Sequence, residues 1–130
     1  MNKTSVKTLV IDDSRTARFL VVSILNESAY EFDITEAIDG VDALGKIENS
    51  TYDLIITDVY MPDMDGVELV NELKNNFNSK AMILVLSSKA KMKNVFILSE
   101  LIKPDEFLDK KYLRNDLLSL VERKLTGFHR

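Results

Sequence analysis

Residues 54–66 have the sequence LIITDVYMPDMDG, in which an apolar run ends at an acid, Asp58, and Pro62 and Gly66 follow. A continuous run of branched apolar residues is typical of a strand that is buried on both faces of a sheet. Proline fixes φ and glycine lacks the steric limits of a side chain, so we expect a sharp turn after this strand. The stretch therefore predicts a buried strand that presents a carboxylate at its carboxyl end.

Short apolar runs alternate with longer amphipathic patterns along the whole chain. Such alternation predicts an α/β fold, in which a doubly wound parallel sheet is covered by helices on both faces. No segment rich in glycine, proline or serine divides the 130 residues, so we expect a single domain at 1–130. The predicted strands cover 6–11, 31–37, 53–57, 81–86 and 106–109, and the predicted helices cover 14–28, 40–50, 65–77, 89–102 and 112–125.

Apolar residues recur at helical spacing in these segments and indicate which helix faces are buried. In the second predicted helix, Val41, Leu44 and Ile47 share one face. The last predicted helix has its apolar residues in register at Leu113, Leu117, Leu120, Val121 and Leu125.

Composition excludes several classes of protein. The chain has 17 basic and 21 acidic residues and a net charge of −4, which is not the strongly basic balance of a nucleic-acid-binding domain. It contains no cysteine, which excludes disulfides and thiolate metal sites, and its single histidine, His129, lies beside the C-terminus. The longest apolar run, at 81–86, is far shorter than the roughly 20 residues that span a bilayer. The N-terminus has no secretory signal pattern, so the sequence predicts a cytoplasmic protein that binds neither nucleic acid nor membranes.

Charged and polar residues stand where four of the predicted strands end. Asp12 and Asp13 follow the first strand, Asp58 the third, Ser87 the fourth and Lys110 the fifth. Because ligands of an open parallel sheet bind beyond the carboxyl ends of its strands, we expect these side chains to meet at one edge. Three converging carboxylates raise each other's pKa by repulsion, and a hard cation such as Mg²⁺ would relieve that repulsion.

Each of these residues also has an ordinary structural interpretation when it is considered alone. Asp13 or Ser14 could cap the following helix, since Asp and Ser are common N-cap residues. Asp58 could cap a turn that leads into the helix at 65–77, and Lys110 could be a solvated surface lysine. Only the joint placement of these residues favours a metal site, so both interpretations stay open at this point.

Five motifs distributed along the chain match a known family. They are VIDDS (10–14), EAIDGVDAL (36–44), TDVYMPDMDG (57–66), LSS (86–88) and FLDKK (107–111). With them the chain resembles the receiver domain of two-component response regulators, and in particular the single-domain, chemotaxis-type regulators. The resemblance covers essentially the whole chain and implies a flavodoxin-like fold with strand order 2-1-3-4-5 and five helices.

The resemblance implies a metal-dependent role for the acids. Asp58 corresponds to the aspartate that accepts a phosphoryl group. Asp12, Asp13, Asp58 and the backbone carbonyl of Tyr60 correspond to the ligands of Mg²⁺. Because Tyr60 is bulky, we also expect it to hinder attack of water on the phosphoryl group.

The resemblance also implies a switch beside the metal. Ser87 and Lys110 correspond to the hydroxyl and the ammonium group that contact the phosphoryl group, and Phe107 corresponds to the aromatic residue that turns inward on activation. The family usually has proline after this lysine, but Lys111 stands there. Tyr112 matches the aromatic residue that follows the lysine–proline pair, which is why Lys110 is chosen.

The implied function is that of a signalling switch, not of an enzyme. A histidine kinase or phosphotransfer protein would supply the phosphoryl group. The face formed by the helix at 89–102, the strand at 106–109 and the helix at 112–125 would bind a downstream protein. A flagellar motor switch, a phosphorelay and an adaptor target all stay open as outputs.

Three other interpretations compete with this one. A phosphatase with an aspartyl-phosphate intermediate would need a second acid where Tyr60 stands. An interaction module that is never phosphorylated would not need all of the residues at the strand ends. A receiver fragment of a larger regulator would have the same sequence as this chain.

Overall fold

The structure, a computed structural model, describes residues 5–61, 64–77, 79–88 and 106–126. Its strands are β1 (Ser5–Ile11), β2 (Glu31–Ala37), β3 (Leu54–Asp58), β4 (Met82–Ser87) and β5 (Glu106–Asp109). They form one sheet in which every neighbouring pair is parallel. The order is β2-β1-β3-β4-β5, which confirms the predicted topology.

Helices follow the strands where the sequence predicted them. A 3-10 helix at Lys110–Tyr112 leads from β5 into the last α-helix. The helix predicted at 89–102 lies outside the described residues, as does Pro62 of the predicted turn. No helix in the described ranges is long and apolar enough to cross a bilayer. The α-helices are α1 (Arg15–Leu25), α2 (Gly40–Asn49), α3 (Gly66–Asn75) and α4 (Leu113–Leu125).

Helices cover both faces of the sheet and enclose a core layer on each side. Helices α1 and α4 pack on one face through side chains such as Leu25 and Leu117, which are fully buried. Helices α2 and α3 pack on the other face through Ala43, Leu69 and Leu73. All five apolar residues that the sequence placed in register on the last helix are buried. The α/β fold with a doubly wound sheet is thereby confirmed.

Strand β3 lies at the centre of this arrangement, and all of its residues are buried. Leu54 and Ile56 belong to the layer beneath α1 and α4, whereas Ile55 belongs to the layer beneath α2 and α3. A strand that is apolar on both faces is what the continuous run in LIITD predicted. Its last residue, Asp58, is therefore carried to the sheet edge by a fully buried strand.

Helix α2 differs from the prediction at one position of its buried face. Leu44 and Ile47 pack against the core as predicted, but Val41 is 56% exposed, so its predicted burial is wrong. Gly40 takes the buried place, and a Cβ there would lie only 2.8 Å from the side chain of Met64. The buried stripe therefore runs through Gly40, Leu44 and Ile47 at the spacing i, i+4 and i+7, and Val41, the next residue after Gly40, faces solvent.

Strand β2 forms one edge of the sheet, and its exposed positions are acidic. Glu31, Asp33 and Glu36 are exposed to solvent. Phe32 and Ile34 are partly buried against the core between them. The alternation of acidic and apolar residues thus corresponds to a strand with one exposed and one partly buried face.

Candidate functional site

The carboxyl ends of the parallel strands meet at one edge of the sheet. Asp12 directly follows β1, and Asp58 is the last residue of β3. Ser87 is the last residue of β4, and Lys110 directly follows β5. The structure therefore places these residues at the edge where the sequence predicted a site.

Three carboxylates form a cluster at this edge. Asp12, Asp13 and Asp58 each offer one oxygen, and the three atoms lie within 4.8 Å of one another. Asp12 and Asp58 are only 3% and 8% exposed, whereas Asp13 is exposed. The cluster therefore has two nearly buried acids and a third acid on the side that is open to water.

The ammonium group of Lys110 lies between the two buried acids. Its Nζ is 3.1 Å from Oδ2 of Asp12 and 3.2 Å from Oδ1 of Asp58. Lys111 is exposed, and its Nζ lies 5.7 Å from the centroid of the Tyr112 ring. The structure thus places Lys110, and not its neighbour, against the acids.

Burial and charge shift the pKa values of this central pair. Burial raises the pKa of Asp58 above its ordinary value; Lys110 opposes the rise and Asp12 adds to it. Burial lowers the pKa of Lys110, but the two carboxylates outweigh burial, so that the pKa is raised overall. The ionised form of Asp58 is therefore disfavoured, and an added cation would favour it.

The amide, the carbonyl and both carboxylate oxygens of Asp12 all make hydrogen bonds. Its amide donates to the carbonyl of Ala37 at 3.1 Å, and its Oδ1 accepts from the amide of Ser14 at 2.9 Å. Its Oδ2 accepts from Lys110, and its backbone carbonyl accepts from Nη1 of Arg18 at 2.7 Å. The first acid of the cluster is therefore positioned before any ligand binds.

Ser14, and not Asp13, caps the helix that starts beside the cluster. Its Oγ accepts a hydrogen bond from the backbone amide one turn later, at 3.2 Å. Helices α2 and α3 begin in the same way at Asp39 and Asp65. Because α1, α2 and α3 are capped by these other residues, Asp13 and Asp58 are left in the acidic cluster.

Asp58 uses one oxygen locally and keeps the other available. Its Oδ1 accepts from the amide of Val59 at 2.9 Å and contacts Lys110, and no described residue donates a hydrogen bond to its Oδ2. The amide of Gly66 donates to the carbonyl of Val59 at 2.6 Å. A Cβ at Gly66 would lie 2.7 Å from the Asp58 carbonyl, so only glycine lets the turn pass this close. This agrees with the sharp turn that the sequence predicted.

The other predicted site residues lie in or just after the strands that neighbour this edge. Ser87 is 2% exposed, and its Oγ donates to the carbonyl of Ser88 at 3.2 Å. Tyr60 and Phe107 are partly buried against the core layer beneath α2 and α3. The switch roles of Ser87 and Phe107 and the metal-ligand role of the Tyr60 carbonyl stay predictions.

The acidic cluster suits Mg²⁺ by the chemistry of its donors. Carboxylate oxygens are hard ligands, and Mg²⁺ in proteins usually keeps several waters beside one or two carboxylates. The buried pair Asp12 and Asp58 provides fixed oxygens, and the exposed Asp13 leaves the cluster open to water. The donor set therefore fits this ion.

A comparison with known families identifies the kind of domain to which this site belongs. The family model of the response regulator receiver domain matches residues 8–122. The chain belongs to the response regulator receiver domain family. The matched residues include all of the strand-end acids and Lys110, so the resemblance seen in the motifs is confirmed.

Individual relatives agree that this is a receiver. Protein PilG of Pseudomonas aeruginosa is 32% identical over 124 residues, which are 95% of this chain and 90% of PilG. The structure of the chemotaxis response regulator CheY4 of Vibrio cholerae has a TM-score of 0.76 and 30% identity, covering 92% of this chain and 98% of that chain. The flavodoxin-like fold and the likeness to chemotaxis-type receivers are thereby confirmed.

A third relative is a much longer protein. The sensor protein EvgS of Escherichia coli is 46% identical over 82 residues, which are 63% of this chain but only 7% of EvgS. Segments similar to this receiver therefore also occur inside large sensor proteins.

One residue of the receiver site was not predicted from the sequence. Arg18 lies in the second turn of α1, and its side chain is only 12% exposed. It donates from Nη1 to the carbonyl of Asp12 and from Nε to Oε1 of Glu36, at 2.7 and 2.9 Å. Arg18 comes four residues after the cap Ser14, so it lies on the same side of α1 as the cap. No sequence pattern, however, reveals a contact with a backbone carbonyl.

Proposed function

We propose that this receiver accepts a phosphoryl group on Asp58 in a Mg²⁺-dependent reaction and then signals to another protein. The arrangement of Asp58 is the observation that supports this most. Its carboxylate is nearly buried, contacts Lys110, lies within the acidic cluster, and keeps its Oδ2 free of hydrogen bonds from described residues. Such a carboxylate is a nucleophile placed beside groups that can neutralise phosphoryl oxygens.

In the proposed reaction, Oδ2 of Asp58 attacks the phosphorus of a phosphohistidine. A phosphorus–oxygen bond forms while the phosphorus–nitrogen bond breaks, and the electron pair of the broken bond leaves with the imidazole nitrogen, which takes up a proton. Phosphoryl transfer of this kind depends mainly on positioning and charge neutralisation. When bound at the acidic cluster, Mg²⁺ supplies positive charge to the phosphoryl oxygens.

In this proposal the residues around Asp58 bind the metal and neutralise the phosphoryl group. Asp12, Asp13, Asp58 and the backbone carbonyl of Tyr60 would hold the metal, and Lys110 would pair with a phosphoryl oxygen. Lys110 already lies 3.2 Å from Asp58, so it needs only a small shift to reach a group attached there. The chain then acts as a switch and catalyses only its own phosphorylation and slow dephosphorylation.

The charge added to Asp58 is the signal. A phosphoryl oxygen is a stronger acceptor than the Ser88 carbonyl that the Ser87 hydroxyl now contacts, so Ser87 would turn toward it. The inward turn of Phe107 would follow, which shifts a two-state equilibrium. The output face combines β5 and α4 with the helix predicted at 89–102, which lies outside the described residues.

The proposed partners are a histidine kinase or phosphotransfer protein as donor and a second protein as target. The likeness to the chemotaxis regulator CheY4 supports an output in motility, such as a flagellar motor switch. The likeness to a segment of the sensor EvgS supports a phosphorelay instead. The single domain and the cytoplasmic location that the sequence predicted are part of the same proposal.

The proposal is tested by incubating the protein with acetyl phosphate, with and without Mg²⁺, and measuring its intact mass. We expect the mass to rise by one phosphoryl group only when Mg²⁺ is present, and not at all in Asp58→Asn. That variant keeps the shape of the side chain and removes the attacking carboxylate. If the mass stays constant under every condition, the chain is a non-phosphorylated interaction module.

A second prediction concerns Tyr60, two residues beyond the proposed phosphorylation site. Its side chain is partly buried against the core layer beneath α2 and α3. A bulky residue only two positions beyond Asp58 would hinder the approach of water to a phosphoryl group on that carboxylate. We expect Tyr60→Asn to shorten the lifetime of the acyl phosphate and Tyr60→Phe, which keeps the ring, to leave it unchanged. The lifetime is measured by following the decay of the phosphorylated mass after removal of acetyl phosphate, and equal lifetimes in all three proteins would disprove shielding by Tyr60.

A further inference from the structure

We propose that Arg18 is a positioning residue of the metal site, which holds Asp12 in place for Mg²⁺ even though its own positive charge repels the ion. The inference rests on the proposed Mg²⁺-dependent function. It assigns a role to a residue that makes no contact with the metal or the phosphoryl group in that proposal.

The guanidinium of Arg18 connects the acidic turn to the neighbouring strand. Its Nη1 lies 2.7 Å from the carbonyl oxygen of Asp12, and its Nε lies 2.9 Å from Oε1 of Glu36. Glu36 belongs to β2, whereas Asp12 lies just beyond β1. The planar fork of an arginine can make both bonds at once, which a lysine ammonium on a flexible chain does less well.

The bond to the Asp12 carbonyl restrains the turn that contains two of the three acids. The turn between β1 and α1 consists of residues 12–14. Its other restraints include the bonds of the Asp12 amide to Ala37 and of the Ser14 amide to Asp12, and the bond of Lys110 to the Asp12 carboxylate. Within the described residues, Arg18 is the side chain that bonds the Asp12 carbonyl, so its removal would leave that peptide group free to rotate.

Charge and position make opposite predictions for Mg²⁺ binding. Removing a nearby positive charge strengthens binding of a cation if electrostatics alone decides the affinity. Removing a residue that orients a metal ligand weakens binding, commonly by roughly tenfold or more. The sign of the change therefore distinguishes the two effects.

The experiment measures the dissociation constant of Mg²⁺ by isothermal titration calorimetry on the whole chain. The variants are Arg18→Gln, which removes the charge and the fork, and Arg18→Lys, which keeps the charge and removes the fork. Arg15→Gln is the matched control, since it removes an equal charge from an exposed position on the same helix. We expect both Arg18 variants to bind Mg²⁺ about tenfold more weakly than the unmodified protein, and Arg15→Gln to bind it equally or more tightly.

The outcomes separate this inference from the proposed function. If the unmodified protein binds Mg²⁺ and Arg18→Gln binds it equally or more tightly, positioning by Arg18 is wrong while the metal site stands. If the unmodified protein itself binds no Mg²⁺, the proposed function fails and the inference fails with it. An affinity loss in Arg18→Gln that is absent in Arg18→Lys would contradict the role of the fork, because a single cationic donor to the Asp12 carbonyl would then be enough.

A second pair of variants tests the same idea without altering Arg18. Glu36→Gln and Glu36→Ala remove the same negative charge, but only the glutamine keeps an oxygen that accepts from Nε. We expect Glu36→Ala to bind Mg²⁺ severalfold more weakly than Glu36→Gln, and equal affinities would contradict the inference. This pair decides the question if circular dichroism shows that the Arg18 variants do not fold.

Discussion

Lys110→Ala should be phosphorylated by acetyl phosphate roughly 100-fold more slowly than the unmodified protein, while it binds Mg²⁺ at least as tightly. The rate falls because a preformed positive group beside the attacked phosphoryl group is lost, and such groups contribute on the order of 100-fold or more. The affinity does not fall because the ammonium now competes with a metal for Oδ2 of Asp12 and Oδ1 of Asp58. The rate is measured by intact mass and the affinity by calorimetry.

Lys111→Ala is the matched control for this prediction. Lys111 is exposed, and its Nζ lies over the Tyr112 ring and not among the acids. We expect it to be phosphorylated at nearly the unmodified rate. If Lys111→Ala is instead the slowly phosphorylated variant, Lys111 is the residue that pairs with the phosphoryl group, and the role proposed for Lys110 is wrong.

Gly66→Ala should lower the free energy of unfolding by about 2–3 kcal/mol, which is a fall of roughly 10 °C in the melting temperature. An added Cβ would lie 2.7 Å from the carbonyl oxygen of Asp58 and 2.8 Å from the Cα of Val59. Both are backbone atoms, so no side-chain rotation relieves the contact. The displacement would move Asp58 itself, and we expect slower phosphorylation together with lower stability. Thermal unfolding followed by circular dichroism measures the first effect.

Gly45→Ala should instead raise the free energy of unfolding. Gly45 lies in the interior of α2, and a Cβ there would meet no heavy atom within 4 Å apart from its chain neighbours and the nearby backbone of the helix itself. Alanine loses less backbone entropy than glycine when it enters a helix, so we expect a gain of roughly 0.5–1 kcal/mol. If both glycine variants destabilise the protein to the same extent, the close contact at Gly66 is not what limits that position.

Most of the fold followed from periodicity because the buried and exposed faces of these elements are clearly separated in the sequence. The strand at 31–37 was predicted with its observed bounds. Its polar and apolar residues alternate, because one face of the strand is exposed to solvent. The place of Val41 was not predictable in this way. The buried stripe of α2 begins at Gly40, which has no side chain to mark its position as apolar, so the pattern assigned that place to the next residue, Val41.

The acids and the lysine of the site were predictable because parallel strands bring their carboxyl ends to one edge. The position of Asp58, Asp12 and Lys110 at or just after strand ends was therefore enough to predict that they lie close together. It could not distinguish whether Asp13 or Ser14 caps α1, because either side chain can accept the same hydrogen bond. Nor could it find Arg18, whose bond to a backbone carbonyl depends on side-chain rotamers that spacing does not determine.

The acidic edge of β2 has a consequence for how copies of this protein meet. An edge strand exposes unpaired backbone groups that can recruit a strand from another molecule and begin aggregation. Here Glu31 and Asp33 project into solvent along that edge. A second copy arriving there would bring the same negative charges into close opposition, and like charges facing each other across strands are destabilising. The acidic side chains of β2 therefore help the sheet to end at this strand and to resist growth into a larger sheet.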